Sequence, residues 1–541
     1  MPGKGESVRV VVDLTRCQGY GQCVFMAPEV FSMSGREALA YDPDPPDAQR
    51  EHVLRAAAAC PVQALHVDRV SAPDPDRVPD PPSPDGDGFR RTGRVVIVGA
   101  SLAGMRAATV LRREGFAGPI ILVGDERGEP YDRPPLSKQV LTGQVRAHNT
   151  ALPRLPDLDA EWVRGTAATG LDLGRRCVRL ANGRDVEFDR LLIATGTRAR
   201  PWPDAAEAAL DGVFTLRTAE DAFRLRRRLG EGTGRVLVIG AGFTGSEIAS
   251  VCRELGRPVT VAERGPAPLV GALGGVIGAV AADLQRTHGV DLRCGVSVTA
   301  LEGEAGRLCR ARLSDGDTLP VEVAVAALGA VRNVEWLEGS GLAAGPWGVA
   351  CDAGCRVFDI NGLVTDDVFA AGDVARLPHP LYEYQFLTLE HWGSAVAQAE
   401  VAAHNMVSGQ ARRWPHLALP VFWSSQFGVD IKSVGVPTFA DEVMITQGTA
   451  KEHRFVAVYG YRGRITAAVT FDQGMWLEFY QGLIEQAAPF PPRFRTVDRS
   501  GAAHPVPAEV PDRVLASHGA TVVVTGHDPA ERRAWLVHRS R

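Results

Sequence analysis

Cys17, Cys23 and Cys60 stand together in the first 60 residues, whereas the other six cysteines (177, 252, 294, 309, 351 and 355) are scattered over the remaining 481. The order is Cys17-Gln-Gly-Tyr20-Gly-Gln-Cys23, and Pro61 follows Cys60. Iron–sulfur clusters are held by thiolates in runs such as C-x2-C-x2-C with a remote C-P. Here Tyr20 occupies the middle position. Gly19 and Gly21 let the backbone wrap closely around inorganic sulfide. Three thiolates hold three irons, so a [3Fe–4S] cluster with a vacant corner facing Tyr20 is the simplest expectation. A [4Fe–4S] cluster with a fourth, non-cysteine ligand stays open. Structural zinc is less well matched, because it calls for four Cys/His ligands.

A second chemistry is written twice. Arg94-Val-Val-Ile-Val98 is an apolar run of buried parallel-strand type, followed by Gly99-Ala-Ser101-Leu-Ala103-Gly104, a helical stretch, a second apolar run Ile120–Val123, and Asp125. The order recurs in Arg235-Val-Leu-Val-Ile239, Gly240-Ala-Gly242-Phe-Thr-Gly245, a helix, Val259–Ala262 and Glu263. Strand, glycine turn, helix, strand, acid is the dinucleotide-binding order: pyrophosphate rests on the helix N-terminus and the acid accepts from a ribose hydroxyl. Ser101 replaces the middle glycine of the first turn. Glu263 at a strand end favours NADH, since a carboxylate there repels a 2′-phosphate. Leu191–Gly196 reads as a strand ending in the small-residue turn Ala194-Thr195-Gly196. Val368–Val374 is a strand that delivers Asp373 beside Gly372.

These residues need separate units to carry them. A chain of 541 residues is too long for one core. Residues 1–89 carry a net charge of −6 and the remainder +1, so an acidic head sits on a near-neutral body. Between them, residues 71–93 hold six prolines and five aspartates and read as an extended, solvated linker. The overall charge of −5 and the absence of a Lys/Arg-rich tract argue against nucleic acid as the main partner. No apolar run is long enough for a membrane span, and the polar start lacks a signal-peptide stretch, so a cytoplasmic setting with cysteines as thiols or metal ligands is expected. Cys351 and Cys355 lack the C-x-x-C spacing of a redox pair.

The head, including Ala27-Pro-Glu-Val-Phe31, resembles the small single-cluster actinobacterial ferredoxins that serve cytochrome P-450 monooxygenases. The body, roughly 94–495, resembles the FAD-dependent, NADH-dependent ferredoxin reductases of oxygenase systems, the putidaredoxin reductase-like family. That resemblance implies an α+β ferredoxin head, an α/β glutathione reductase-like body with two dinucleotide-binding domains, and an α+β C-terminal interface domain. The expected layout is 1–70 ferredoxin, 71–93 linker, 94–215 and 320–408 FAD domain, 216–319 NAD domain, and 409–541 interface domain and tail, with Ala520–Thr525 a candidate strand. The first fingerprint would bind FAD and the second the nicotinamide nucleotide. Tyr131-Asp-Arg133-Pro-Pro-Leu-Ser-Lys138 matches a family segment whose lysine sits near flavin N5, and Glu247 matches the glutamate that pairs with it. Leu216-Arg217-Thr218 matches the entry to the nucleotide domain, Glu390-His-Trp392 the segment over the flavin pyrimidine, and Pro420–Gln426 the start of the interface domain. Thr388 stands where relatives often carry arginine. Ala168 and Gly329 are further expected cofactor contacts.

NADH gives up two electrons at once and a cluster accepts one, so FAD is the expected converter. Lys138 and Glu247 are the expected pair at the reacting edge. The acidic head would dock on a basic patch near the flavin, and a mobile linker would suit a shuttle to an outside acceptor. From the head's resemblance that acceptor is a cytochrome P-450 on a separate chain. A ring-hydroxylating dioxygenase, or a redox-sensing role like that of cell-death flavoproteins with a similar body, are the alternatives.

Overall fold

The computed structural model describes residues 8–17, 19, 21–34, 38–60, 64–67, 87–146, 150–152 and 158–492, together with the strands His504–Pro505, Ala520–Thr525 and Arg533–His538. Tyr20, Pro61 and residues 71–86 of the expected linker lie outside these.

The head pairs Val10–Val12 with Leu65–Val67 and Phe31–Ser34 with Ala38–Tyr41, both antiparallel. Helices Gln22–Met26 and Arg50–Ala59 pack beside them around Val10, Val12, Phe31, Val53 and Ala56.

The body contains two doubly wound sheets. In the first, Val95–Val98 lies between Arg190–Ile193 and Ile120–Val123, all parallel, with Val364–Ala370 and Glu161–Val163 further out. Every residue of Val95–Val98 and Ile120–Val123 is buried, as continuous apolar runs require when helices cover both faces of a sheet. In the second, Val236–Ile239 lies between Val323–Ala326 and Val259–Glu263, flanked by Val213–Phe214 and Asp291–Cys294. The boundaries expected at 216 and 319 therefore shift. Val213–Phe214 and Val323–Ala326 belong to the nucleotide-domain sheet, because the fully buried Val323-Ala-Val-Ala326 is an inner strand of that sheet. A third, antiparallel sheet runs Val421–Gln426, Val429–Gly435, Arg464–Phe471, Arg454–Tyr461, Glu442–Thr449 and His504–Pro505, with helix Leu477–Glu485 against it. In the tail, Ala520–Thr525 is a strand, paired with Arg533–His538.

The linker expected through residue 93 ends sooner, because Asp87–Thr92 is helical and docked. Phe89 stacks obliquely on Phe116 at 5.4 Å and carries the Arg190 guanidinium 3.9 Å from its ring centre, while Arg90 donates to the Val407 carbonyl. One aromatic ring supplied the burial that the Pro/Asp composition upstream cannot.

Both fingerprints are built by the same backbone contact. A Cβ on Gly104 would lie 1.9 Å from the Gly99 carbonyl oxygen, and one on Gly245 would lie 2.0 Å from that of Gly240. Gly99 and Gly240 have φ of 118° and 100°, which side chains rarely adopt. Ser101 and Gly242 begin the two helices at φ of −99° and −69°, so a serine fits where the sequence departs from the motif. Gly104→Ala is expected to force the helix off the strand and cost about 1–3 kcal/mol. Gly242→Ala, whose Cβ would meet nothing within 4 Å, should leave the fold intact. Thermal melts of the two variants side by side check this; equal midpoints would refute it.

Candidate functional site

The cavity between the two nucleotide-binding domains and the C-terminal sheet collects most of the expected cofactor residues. Ser101 and Ala103 of the first fingerprint line it, with Arg133, Lys138, Ala194, Thr195, Gly196, Arg217, Glu247, Asp373 and Trp392. The Lys138 ammonium lies 2.7 Å from the Glu247 carboxylate, and the side chains are 15% and 7% exposed. Glu247 sits on the helix Phe243–Glu254 that follows the second fingerprint, and Lys138 follows the short 3-10 turn Pro134–Ser137, so the contact joins two domains. Ser137 and Ser424 also donate to Glu247, the latter at 2.6 Å from the C-terminal sheet. Asp373 accepts from Arg217 at 2.8 Å and from Thr197 at 3.3 Å. Arg133 is spent on scaffolding: it donates to Glu126 at 2.7 Å and to the Arg217 carbonyl at 2.8 Å.

Trp392 donates from its indole nitrogen to Asp132 at 2.9 Å and meets Trp423 edge-on at 6.4 Å. Burial pushes the Asp132 carboxyl up to about 6, only partly offset by the Trp392 hydrogen bond and the Lys138 charge. Burial drives His391 down to about 4, leaving a neutral ring against Phe422.

Other expected residues lie elsewhere. Gly99 and Gly104 shape the first turn from behind. Asp125 is exposed, and neither it nor its neighbour Glu126 is in the cavity wall; Glu126 accepts from Tyr131 and Arg133, which are. Ala168 lies in a small three-stranded sheet and Gly329 in a turn at φ 82°, neither lining the cavity. Gly240, Gly242, Gly245 and Glu263 form the second turn. The Glu263 carboxylate accepts from the Ala241 and Gly265 amides at 2.7 and 2.6 Å, one on each oxygen, and so ties the turn to the strand end. Asp132, Ser137, Trp423 and Ser424 also serve the site, and only their adjacency to recognisable motifs, not their side-chain type, marks them in the sequence.

In the head, Gly19 and Gly21 adopt φ of 69° and 70°. The Ala64 amide donates to the Cys60 sulfur at 3.3 Å, and the Gly19 and Val24 backbones act to lower the proton affinity of Cys17 and Cys23 against the burial that raises it. Burial, then the nearby Cys17, pushes the Cys23 thiol up to about 11, and Cys60 bears on both. Among the described residues no three His, Cys, Asp or Glu side chains converge tightly enough for a single metal ion. Three thiols in one small head, with two left-handed glycines between the first pair and an amide on the Cys60 sulfur, fit a multi-iron cage instead, and Cys17, Cys23 and Cys60 would hold it. The glycine turns that a Cβ would fill likewise fit a dinucleotide. Cys351 and Cys355 are fully buried free thiols, each donating to a backbone carbonyl.

The head rests on this site. Val11 packs with Met105 and Leu152, with Trp392 and Leu102 against them, and Arg9 pairs with Glu129 at 3.2 Å. An acidic head on a basic patch is not what Arg9–Glu129 shows, although the body does present the Lys432 ammonium to the head's Cys17 carbonyl. The centre is apolar, and at Arg9–Glu129 the head contributes the cation.

Residues 93–399 match the pyridine nucleotide-disulphide oxidoreductase model, 10–67 the 4Fe-4S single cluster domain, and 421–500 the reductase C-terminal domain. The chain belongs to the pyridine nucleotide-disulphide oxidoreductase family. It is similar to "Probable ferredoxin reductase CtmF" of Castellaniella defragrans, 37% identical over 72% of this chain and 92% of that one, and to putidaredoxin reductase of Pseudomonas putida, 31% identical over 74% and 93%. Among solved structures, the covalent putidaredoxin reductase–putidaredoxin complex matches with a TM-score of 0.69 at 30% identity, over 74% of this chain and 94% of that one. This family member is a flavoenzyme of the ferredoxin–NAD(+) reductase class with an iron–sulfur domain at its head. Among its described residues no helix is long and apolar enough to cross a membrane.

Glu247→Gln strands the Lys138 ammonium, and breaking one side of a buried pair costs about 3–5 kcal/mol. Adding Lys138→Met should recover part of that loss. A double-mutant cycle on unfolding free energy with zero coupling would reject the pair as a structural unit.

Proposed function

We propose that this chain passes electrons from NADH to FAD, from FAD to its own head cluster, and on to a cytochrome P-450 monooxygenase on a separate chain. The observation that carries the reading is the seat of the head: Val11 packs onto the apolar contact that includes Trp392, a wall residue of the cavity. The cysteine loop is thereby held beside the site where a flavin ring would lie.

When bound, FAD accepts a hydride as an electron pair and releases electrons singly, which a one-electron cluster requires. The chain's residues hold, orient and bias that chemistry. The helix N-termini after Gly99 and Gly240 receive the two pyrophosphates. Asp373, held by Arg217 and Thr197, would accept from the flavin's polyol chain. Lys138 presents a positive charge to the flavin edge, and Glu247 fixes its direction from 2.7 Å away. Glu263 uses one lone pair per oxygen on backbone amides, leaving others for the ribose hydroxyls of NADH and a repulsive charge for a 2′-phosphate.

The head cluster is of the [3Fe–4S] type, ligated by Cys17, Cys23 and Cys60; a [4Fe–4S] cluster is the alternative. The head's likeness to P-450-serving ferredoxins favours a P-450 acceptor. A dioxygenase is the second reading, favoured by similarity to the reductase component of a p-cumate 2,3-dioxygenase system from Pseudomonas putida, 35% identical over 63% of this chain and 81% of that one. EPR on the air-oxidised protein tests the cluster: three ferric ions give a signal, and a silent spectrum means [4Fe–4S]. Cys23→Ser should abolish reduction of a ferredoxin-dependent acceptor while NADH still bleaches the flavin. Acceptor reduction that survives this change would refute the route through the head.

A further inference from the structure

A buried lysine outside the flavin cavity meets the cluster loop. Lys432 lies on the strand Val429–Gly435 of the C-terminal sheet, opposite Trp423, and is 1% exposed. Its ammonium pairs with Asp430 at 3.1 Å and donates to the backbone carbonyl of Cys17, a residue 415 positions earlier in the chain. Ser425 holds the other Asp430 oxygen at 3.0 Å. Thr15, two residues before Cys17, sits so close to Gly393 that a Cβ there would lie 3.2 Å from its methyl.

Burying an ammonium is expensive unless its hydrogens are taken up. Asp430 neutralises the charge, and one further N–H goes to the carbonyl of a cluster ligand. The ammonium, not the Asp430 carboxylate, faces the Cys17 carbonyl, so the positive end of the pair points at the cluster loop. This cation is therefore both a mechanical tie and a local field. We propose that Lys432 is a positioning residue that seats the Cys17 side of the head against the body and raises the reduction potential of the head cluster in the docked state. The proposal rests on the electron route above. A positive charge near a group that gains an electron stabilises its reduced form, so the flavin loses one electron and the cluster gains one more readily with Lys432 in place. Trp423, its neighbour across the strand pair, lines the cavity, so the same strand pair faces both redox sites.

The test is made on the full-length holoprotein. Lys432→Met strands Asp430, so Lys432→Met/Asp430→Asn is made alongside it to remove the pair without leaving a buried charge. In the double variant the flavin is still bleached by NADH within twofold of the wild-type rate, and the cluster's EPR signal is present. Flavin-to-cluster electron transfer falls at least tenfold in stopped flow. The cluster's equilibrium with the flavin shifts tenfold against reduction, about 59 mV for one electron. Lys432→Arg restores part of both. Hydrogen exchange on the unsubstituted holoprotein reads the same contact: residues 11–17 are protected in the wild type and exchange faster in the double variant. A variant with its cluster signal, rate and potential unchanged overturns the role of Lys432. Fast exchange of residues 11–17 in the wild type overturns it too, without any substitution. A wild-type holoprotein that carries no cluster iron and sulfide would instead overturn the electron route itself.

Discussion

The Glu247 carboxylate is bound by three parts of the chain at once. Lys138 and Ser137 reach it from the FAD domain, its own helix belongs to the nucleotide domain, and Ser424 comes from the C-terminal sheet. A carboxylate at 6% exposure must be paired, and here every partner comes from outside its own helix. The helix after the second fingerprint, the Arg133–Lys138 turn and the strand Val421–Gln426 therefore have to meet at one point. The cavity is the space left around that meeting.

The same logic extends outward. Asp373 closes on Arg217 and Thr197, Arg217 offers its carbonyl to Arg133, and Arg133 ends on Glu126 and beside Tyr131. Charges that look free in the sequence are used to fix one another, and each fixed side chain lines or backs the cavity. The network leaves Lys138 as a cation at the cavity wall whose direction is set by its partners. That is the arrangement electrostatic stabilisation of a reduced ring requires.

The head joins by a different kind of contact. A long Pro/Asp segment suggested a free shuttle, yet the last turn before the body, Asp87–Thr92, is anchored by Phe89, and the head lies with Val11 on Met105 and Leu152. The Arg9–Glu129 pair and the Lys432 ammonium on the Cys17 carbonyl flank that apolar contact.

Local order was legible. Two apolar runs, each closed by a glycine turn and an acid, specify two dinucleotide units, because backbone approach at Gly104 and Gly245 admits no Cβ. Three spaced cysteines with flanking glycines specify the cluster loop, and the motifs around Lys138 and Glu247 mark both members of the buried pair. The sequence could not show that Glu126 rather than Asp125 is the acid tied to the cavity-lining Arg133 and Tyr131, because that pairing exists only in the fold. It could not assign Val323–Ala326 to one sheet or the other, since an apolar run fits either and only strand pairing decides. Nor could it connect Lys432 with Cys17. Motifs record what the backbone must do within a few residues. A buried charge finds its partner through the folded whole, where distance along the chain carries no weight.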